Sequence, residues 1–153
     1  MIRPLLAALL LTATAAHADP EADVLAVVDR ALTAINTSDA ALFERVMLPD
    51  AIIVAQNYAK GTGALTTRRL TVAEQRVRMG TNTRKIDERR TATKVLVQRD
   101  LAHVWADYTI DIDGKRLHCG VDSFGLVKVD GQWQINSLAW TAEPDGCARI
   151  AAK

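Results

Sequence analysis

Aromatic side chains make up only 5% of the 153 residues, and there are only two cysteines and three histidines. Each scarcity removes a class of function. Two thiols without a Cys-x-x-Cys spacing give no redox pair and no thiolate metal cluster. No His-Glu-x-x-His motif is present, and Gly61-Thr62-Gly63 lacks the lysine and following helix of a phosphate loop. Ser123 lies in a strand-like run rather than in a nucleophile elbow. The formal net charge is only +1, which argues against a general polyanion binder. The basic stretch with Arg68, Arg69, Arg76, Arg78, Arg84, Lys85, Arg89, Arg90 and Lys94 has no interleaved aromatics, so nucleic acid is not an expected partner. It reads as a solvated face or as a positive rim that steers an anionic small molecule.

A long apolar run occurs only at the start. Arg3 followed by apolar Leu5 to Ala16, with Ala16-His17-Ala18 as a small-x-small site, predicts a signal peptide over 1–18. The run is too short to span a bilayer, which takes about 20 apolar residues. Removing it would leave a single domain over 19–153, periplasmic or secreted. In an oxidising compartment Cys119 and Cys147 are expected to pair. Closing that loop of roughly 30 residues contributes about 3–4 kcal/mol in chain-entropy terms.

Val24, Leu25, Val27, Val28, Ala31, Leu32 and Ile35 recur at helical spacing. A second short helix, capped by Ser38 or Asp39, carries Ala41, Leu42, Val46 and Met47 and stops at Pro49-Asp50. Ala51 to Ala55 reads as a strand, and Asn57 to Gly63 as a loop. Thr71-x-x-Glu74 opens a third helix that ends near Gly80. Beyond Lys85, β-branched runs separated by Arg99-Asp100, Asp113-Gly114 and Asp130-Gly131 predict an antiparallel meander. Helices followed by strands give an α+β fold.

Two stretches carry a family resemblance. Asn36-Thr37-Ser38-Asp39 through Leu48-Pro49-Asp50-Ala51 resembles the N-terminal signature of the nuclear-transport-factor-two-like (SnoaL-like) superfamily. His118-Cys119-Gly120-Val121-Asp122-Ser123-Phe124-Gly125-Leu126-Val127-Lys128, then Asp130-Gly131-x-Trp133-x-Ile135 and Glu143-x-x-Gly146-Cys147, is similar to an exported lumazine-binding branch. The resemblance implies a cone, a curved antiparallel sheet wrapped around N-terminal helices with a pocket at the open end, often in a homodimer. It implies no single activity, because superfamily members include isomerases, cyclases and dehydratases.

Counting outward from tight Asp-Gly turns sets Thr109 opposite His118, Asp107 opposite Gly120 and Trp105 opposite Asp122. One face then holds Val104, Ala106, Tyr108, Ile110, Leu117, Val121, Val127, Leu138 and Trp140. The other holds Trp105, Thr109, Phe124, Leu126, Trp133 and Ile135 as an expected pocket wall, with His103, Asp107, His118 and Asp122 as its polar groups. Asp107 is diagonal to His118 and Asp122, about 7–8 Å away, so the trio is the candidate acid/base set. His103 and His118 stand roughly 20 Å apart in this register, so no metal site is expected. No cofactor is implied.

The leading expectation is a small-molecule pocket protein. The alternatives are a cofactor-independent isomerase, cyclase or dehydratase, and a homodimeric interaction module. Tyr108, Leu117 and Trp140 are candidates for a dimer or helix-facing surface.

Overall fold

The computed structural model describes residues 19–151, so the signal-peptide expectation lies outside the described residues. Helix α1 (Pro20–Thr37) starts where Asp19 accepts a hydrogen bond from the Glu21 amide and Pro20 occupies the first turn, a position that needs no amide donor. It ends at Ser38, which adopts a left-handed φ of 54°. Asp39 caps α2 (Ala40–Val46) by accepting from the Leu42 amide at 2.8 Å. Strands β1 (Met47–Tyr58) and β2 (Leu65–Leu70) lead into α3 (Val72–Gly80), opened by the Thr71/Glu74 capping box. The meander follows as β3 (Ile86–Gln98), β4 (Leu101–Ile112), β5 (Lys115–Val129) and β6 (Gln132–Ala142), with α4 (Cys147–Ala151) at the end.

The sheet has six strands in the order β2-β1-β6-β5-β4-β3. All neighbours are antiparallel except β1 and β6, which run parallel. The α+β class stands, but the purely antiparallel sheet is corrected to a mixed one. In-strand alternation shows which residues share a face and says nothing about a partner as distant in sequence as Ser137 is from Ile52. Strand β2 also went unread, because Leu65–Leu70 is exposed at five of its six positions and presents no apolar face. Pro49-Asp50 does not stop a helix. It lies inside β1 where the pairing with β6 is irregular, as expected for a residue that cannot donate to a ladder.

Helices α1 and α2 cover the concave face of the sheet. Val24, Val28, Phe43, Ile53, Val104, Phe124, Leu126 and Ile135 form one apolar core there. On the opposite, convex face α4 packs a small cluster of Cys119, Val121 and Ile150, tied by the Cys119–Cys147 disulfide. No helix among the described residues is long and apolar enough to cross a membrane.

The register from the Asp-Gly turns holds only for the first pairs. Asp111 faces Arg116, to which it is ion-paired, but Ile110 then faces His118. Leu117 is an extra residue on β5, and this bulge exchanges faces for everything beyond it. Thr109 faces Cys119, Asp107 faces Val121 and Trp105 faces Ser123. A second bulge at Asn136 sets Gly125 opposite Ser137 while Leu126 stays opposite Ile135. Leu138 and Trp140 thereby join the face of Phe124 and Asp122. Both bulges follow hairpins whose turns do have the expected positive-φ Asp-Gly geometry.

Candidate functional site

The two bulges bring Tyr108, Ile110, His118, Asp122, Phe124, Leu138 and Trp140 onto one concave surface. Together with Ile35 of α1, Ile86 and Glu88 of β3, Asn57 of β1 and Gln75 and Arg78 of α3, they line a cavity of about 250 Å³. Of the expected acid/base trio, His118 and Asp122 line this cavity and Asp107 does not. Asp107 is buried on the opposite face, in register with Val121. Among the expected wall residues Phe124 lines the cavity, Leu126 and Ile135 are fully buried in the core beneath the helices, and Trp105 and Thr109 lie on the convex side. Trp133 lines a separate, open groove of about 690 Å³ with Arg30, Arg45 and Lys128. That groove is larger, but its charged walls are surface side chains and it contains no buried titratable group. The buried titratable groups are in the smaller cavity.

Glu88 and Asp122 both line it, close enough for each carboxyl to shift the other's ionisation. Asp122 is only 2% exposed and its Oδ2 receives no N–H or hydroxyl hydrogen. Glu88 keeps part of its side chain open to the cavity. Burial raises both acids, Glu88 to about 7 and Asp122 well above its ordinary value, and the negative charge of Glu88 adds to the shift on Asp122. Two carboxyls in contact without a cation hold a proton between them near neutral pH.

Glu88 is fixed from outside the sheet. Asn36, at the end of α1, donates its amide to the Glu88 carbonyl at 2.8 Å and accepts from the Glu88 N–H at 2.6 Å. It acts as a one-residue strand neighbour. The Asn36-Thr37-Ser38-Asp39 motif thus ends the helix and also pins the strand that delivers the acid.

Beside the acids, the Tyr108 hydroxyl donates to the Thr141 carbonyl at 2.8 Å and lies 3.2 Å from His118 Nδ1. A hydroxyl has one hydrogen, so with that hydrogen on Thr141 the Nδ1–H of His118 is the donor in the second contact. Nε2 of the neutral ring is left as an acceptor. Burial lowers the His118 pKa, which favours this uncharged form. Burial first, then the charges of Asp122, Glu88 and Glu143, raises the Tyr108 pKa, so the phenol stays protonated. The site therefore pairs a free base with proton-bearing acids.

The pair has a consequence for stability. A carboxyl whose pKa is raised by folding contributes stability that is complete below its unfolded value and is lost as pH rises through the folded value. Glu88 and Asp122 should thus lower the melting temperature by a few degrees between pH 5 and pH 8. His118, with a depressed pKa, contributes in the opposite sense, with stability lost as pH falls below its ordinary 6.5. Asp122→Asn removes the pair and keeps His118. Its melting temperature relative to the parent should be higher at pH 8 than at pH 5, and an unchanged difference would mean the acids do not share a site.

Glu88, Tyr108, Leu138, Trp140 and Asn36 were not expected at the site. Glu88 sits in Lys85-Ile86-Asp87-Glu88-Arg89-Arg90, which reads as a solvated charge run. Tyr108, Leu138 and Trp140 were placed on the wrong face by the unrecognised bulges. Among the described residues no three His, Cys, Asp or Glu side chains gather to hold a metal.

No curated protein matches the chain, whereas solved structures match its fold. A protein of unknown function with a cystatin-like fold from Nostoc punctiforme is 13% identical, with 81% of this chain and 91% of that one covered at a TM-score of 0.63. An NTF2-like protein from Cytophaga hutchinsonii is 15% identical over 82% and 99% of the two chains, at 0.65. The beta subunit of a "putative aromatic-ring-hydroxylating dioxygenase" from Novosphingobium aromaticivorans is 10% identical over 80% and 88%, at 0.66. At these identities the likeness is one of fold. A family match runs over residues 19–141, nearly all of the described chain, and by it the chain belongs to the family described as "Putative lumazine-binding".

Proposed function

We propose that this chain is an exported, single-domain protein that binds a small, flat, partly apolar molecule in the concave cavity. The observation that carries the reading is the meeting of Glu88 and Asp122 inside a cavity walled by Phe124, Leu138 and Trp140. An apolar wall with a few convergent polar groups is how small-molecule sites are built. A volume of about 250 Å³ suits one ring or two fused rings, and the family description supports a heterocycle of that size. Export is supported by the 1–18 pattern and by the disulfide, which fits an oxidising compartment. Homodimerisation is supported by the convex side of β3–β4, where Leu96, Leu101 and Trp105 are 68%, 59% and 48% exposed on one face.

Native mass spectrometry of the protein purified from its own compartment tests the reading. The expected spectrum retains a small organic molecule, and Ile110→Trp, which fills the cavity from a half-buried wall position, reduces its occupancy at least tenfold. A ligand retained equally by Ile110→Trp would move the site elsewhere.

A second reading is favoured by the opposite protonation of His118 and the acid pair. A neutral imidazole with Nε2 free beside a proton-bearing carboxyl is an arrangement for acid/base isomerisation or dehydration. In it His118 takes a proton and the Glu88–Asp122 pair returns one. Turnover of the retained compound, lost in Asp122→Asn with binding kept, separates this reading from simple binding.

A further inference from the structure

Among the described residues no ion pair joins Glu88 or Asp122 to a cation. Arg89 and Arg90, next in sequence to Glu88, are committed to Asp87 and Asp29. Arg76 and Arg84 of the same basic stretch are paired with Glu44 and Asp113. Arg78 of α3 lines the mouth from an exposed position and makes no ion pair with either carboxyl. His118 is uncharged in its contact with Tyr108, and Glu143, whose charge also reaches Tyr108, is ion-paired with Arg149. The groups facing the pair from β4, β5 and β6 are thus neutral or acidic. Around it stand Tyr108, Phe124 and Trp140, whose ring faces attract a cation. An anion placed here would meet two carboxyl groups, with Arg78 at the mouth as the one permanently charged cation of the lining, so the anionic ligand expected from the basic stretch suits this cavity less well than a cation.

We propose that the ligand enters as an organic cation: a compact aromatic or heteroaromatic nitrogen base whose amidinium-type edge sets two N–H donors on the Glu88–Asp122 pair. Its ring lies against Phe124 and Trp140. The inference rests on reading the concave cavity as the ligand site. An amidinium presents parallel donors at the spacing of a carboxylate, the strongest geometry for such a contact. It also replaces the proton that the two acids otherwise hold in common. Binding therefore releases up to one proton to solvent, and affinity rises with pH until the ligand itself deprotonates.

Three near-isosteric probes separate charge from shape: benzamidine, benzamide and benzoate. Each is titrated calorimetrically at pH 7 in phosphate and in Tris, whose different ionisation enthalpies report proton release. Benzamidine is expected to bind at least tenfold more tightly than benzamide, with a proton released, and benzoate not to bind. Asp122→Asn should remove that preference. Glu88→Gln, at a partly open position where folding is less at risk, should do the same. Equal affinity of benzamidine and benzamide, both lost in Ile110→Trp, would overturn the cation and leave the pocket standing. Preferred binding of benzoate, or binding by none of the three, would also overturn the cation. Benzamidine binding unaffected by Ile110→Trp would overturn both readings.

Discussion

Gly120→Ala should destabilise the protein by more than about 3 kcal/mol, the upper range of overpacking and strain effects. A Cβ built at Gly120 would lie 1.8 Å from the Thr141 carbonyl oxygen and 2.9 Å from Thr141 Oγ1. Neither atom is free to move. The carbonyl accepts the Tyr108 hydroxyl at 2.8 Å, and the Thr141 hydroxyl accepts the Val121 amide at 3.0 Å and donates to Glu143 at 2.7 Å. The backbone of Cys119 is paired with Glu143 on the far side. The requirement for glycine comes from this close approach of two strands, since φ at Gly120 is ordinary. Because Tyr108 orients His118, the same change should also disorganise the cavity. Urea denaturation at constant m-value measures the loss. A shift below about 1 kcal/mol would mean that β5 and β6 do not approach as described.

Reducing the Cys119–Cys147 bond, or replacing both residues by Ser, should cost about 3 kcal/mol through the regained freedom of the unfolded chain. The bond closes 28 residues that include most of β5, the last hairpin and all of β6. Its position adds a local effect. Cys119 is completely buried with Val121 and Ile150, so the link is what holds the short α4 against the sheet. Five residues would not form a stable helix alone. Hydrogen exchange should therefore accelerate in Cys147–Ala151 before any other helix, alongside the fall in midpoint. Equal stability with and without the bond would show that the closed loop is already restrained in the unfolded chain.

The fold was legible in the sequence wherever a local rule operates. Apolar spacing marks α1, Thr71 and Glu74 mark α3, and the Asp-Gly pairs mark two hairpins whose turn residues have φ of 50–78°. The disulfide follows from there being two cysteines and one possible pair. The candidate site was half legible. His118, Asp122 and Phe124 were picked out, and their place on one surface with Tyr108 and Trp140 depends on single extra residues at Leu117 and Asn136. A bulge leaves no compositional mark: Leu117 is 51% exposed and looks like any strand residue. One residue of slip changes which face meets the helices. Asp107 was lost from the trio for that reason. Glu88 could not have been found from β3 alone, because what gives it a role is Asp122 two strands away and the Asn36 clamp from α1.

The face that binds is the point on which the functional account depends. Titrating 15N-labelled protein with the compound recovered from it, and following backbone amide shifts, tests this directly. The expected result is perturbation of Glu88, Tyr108, Asp122, Phe124 and Leu138, with Thr109, Val121 and Ser123 unmoved. Shifts confined to Trp105, Thr109 and Ser123 would place the ligand on the convex side and contradict the assignment.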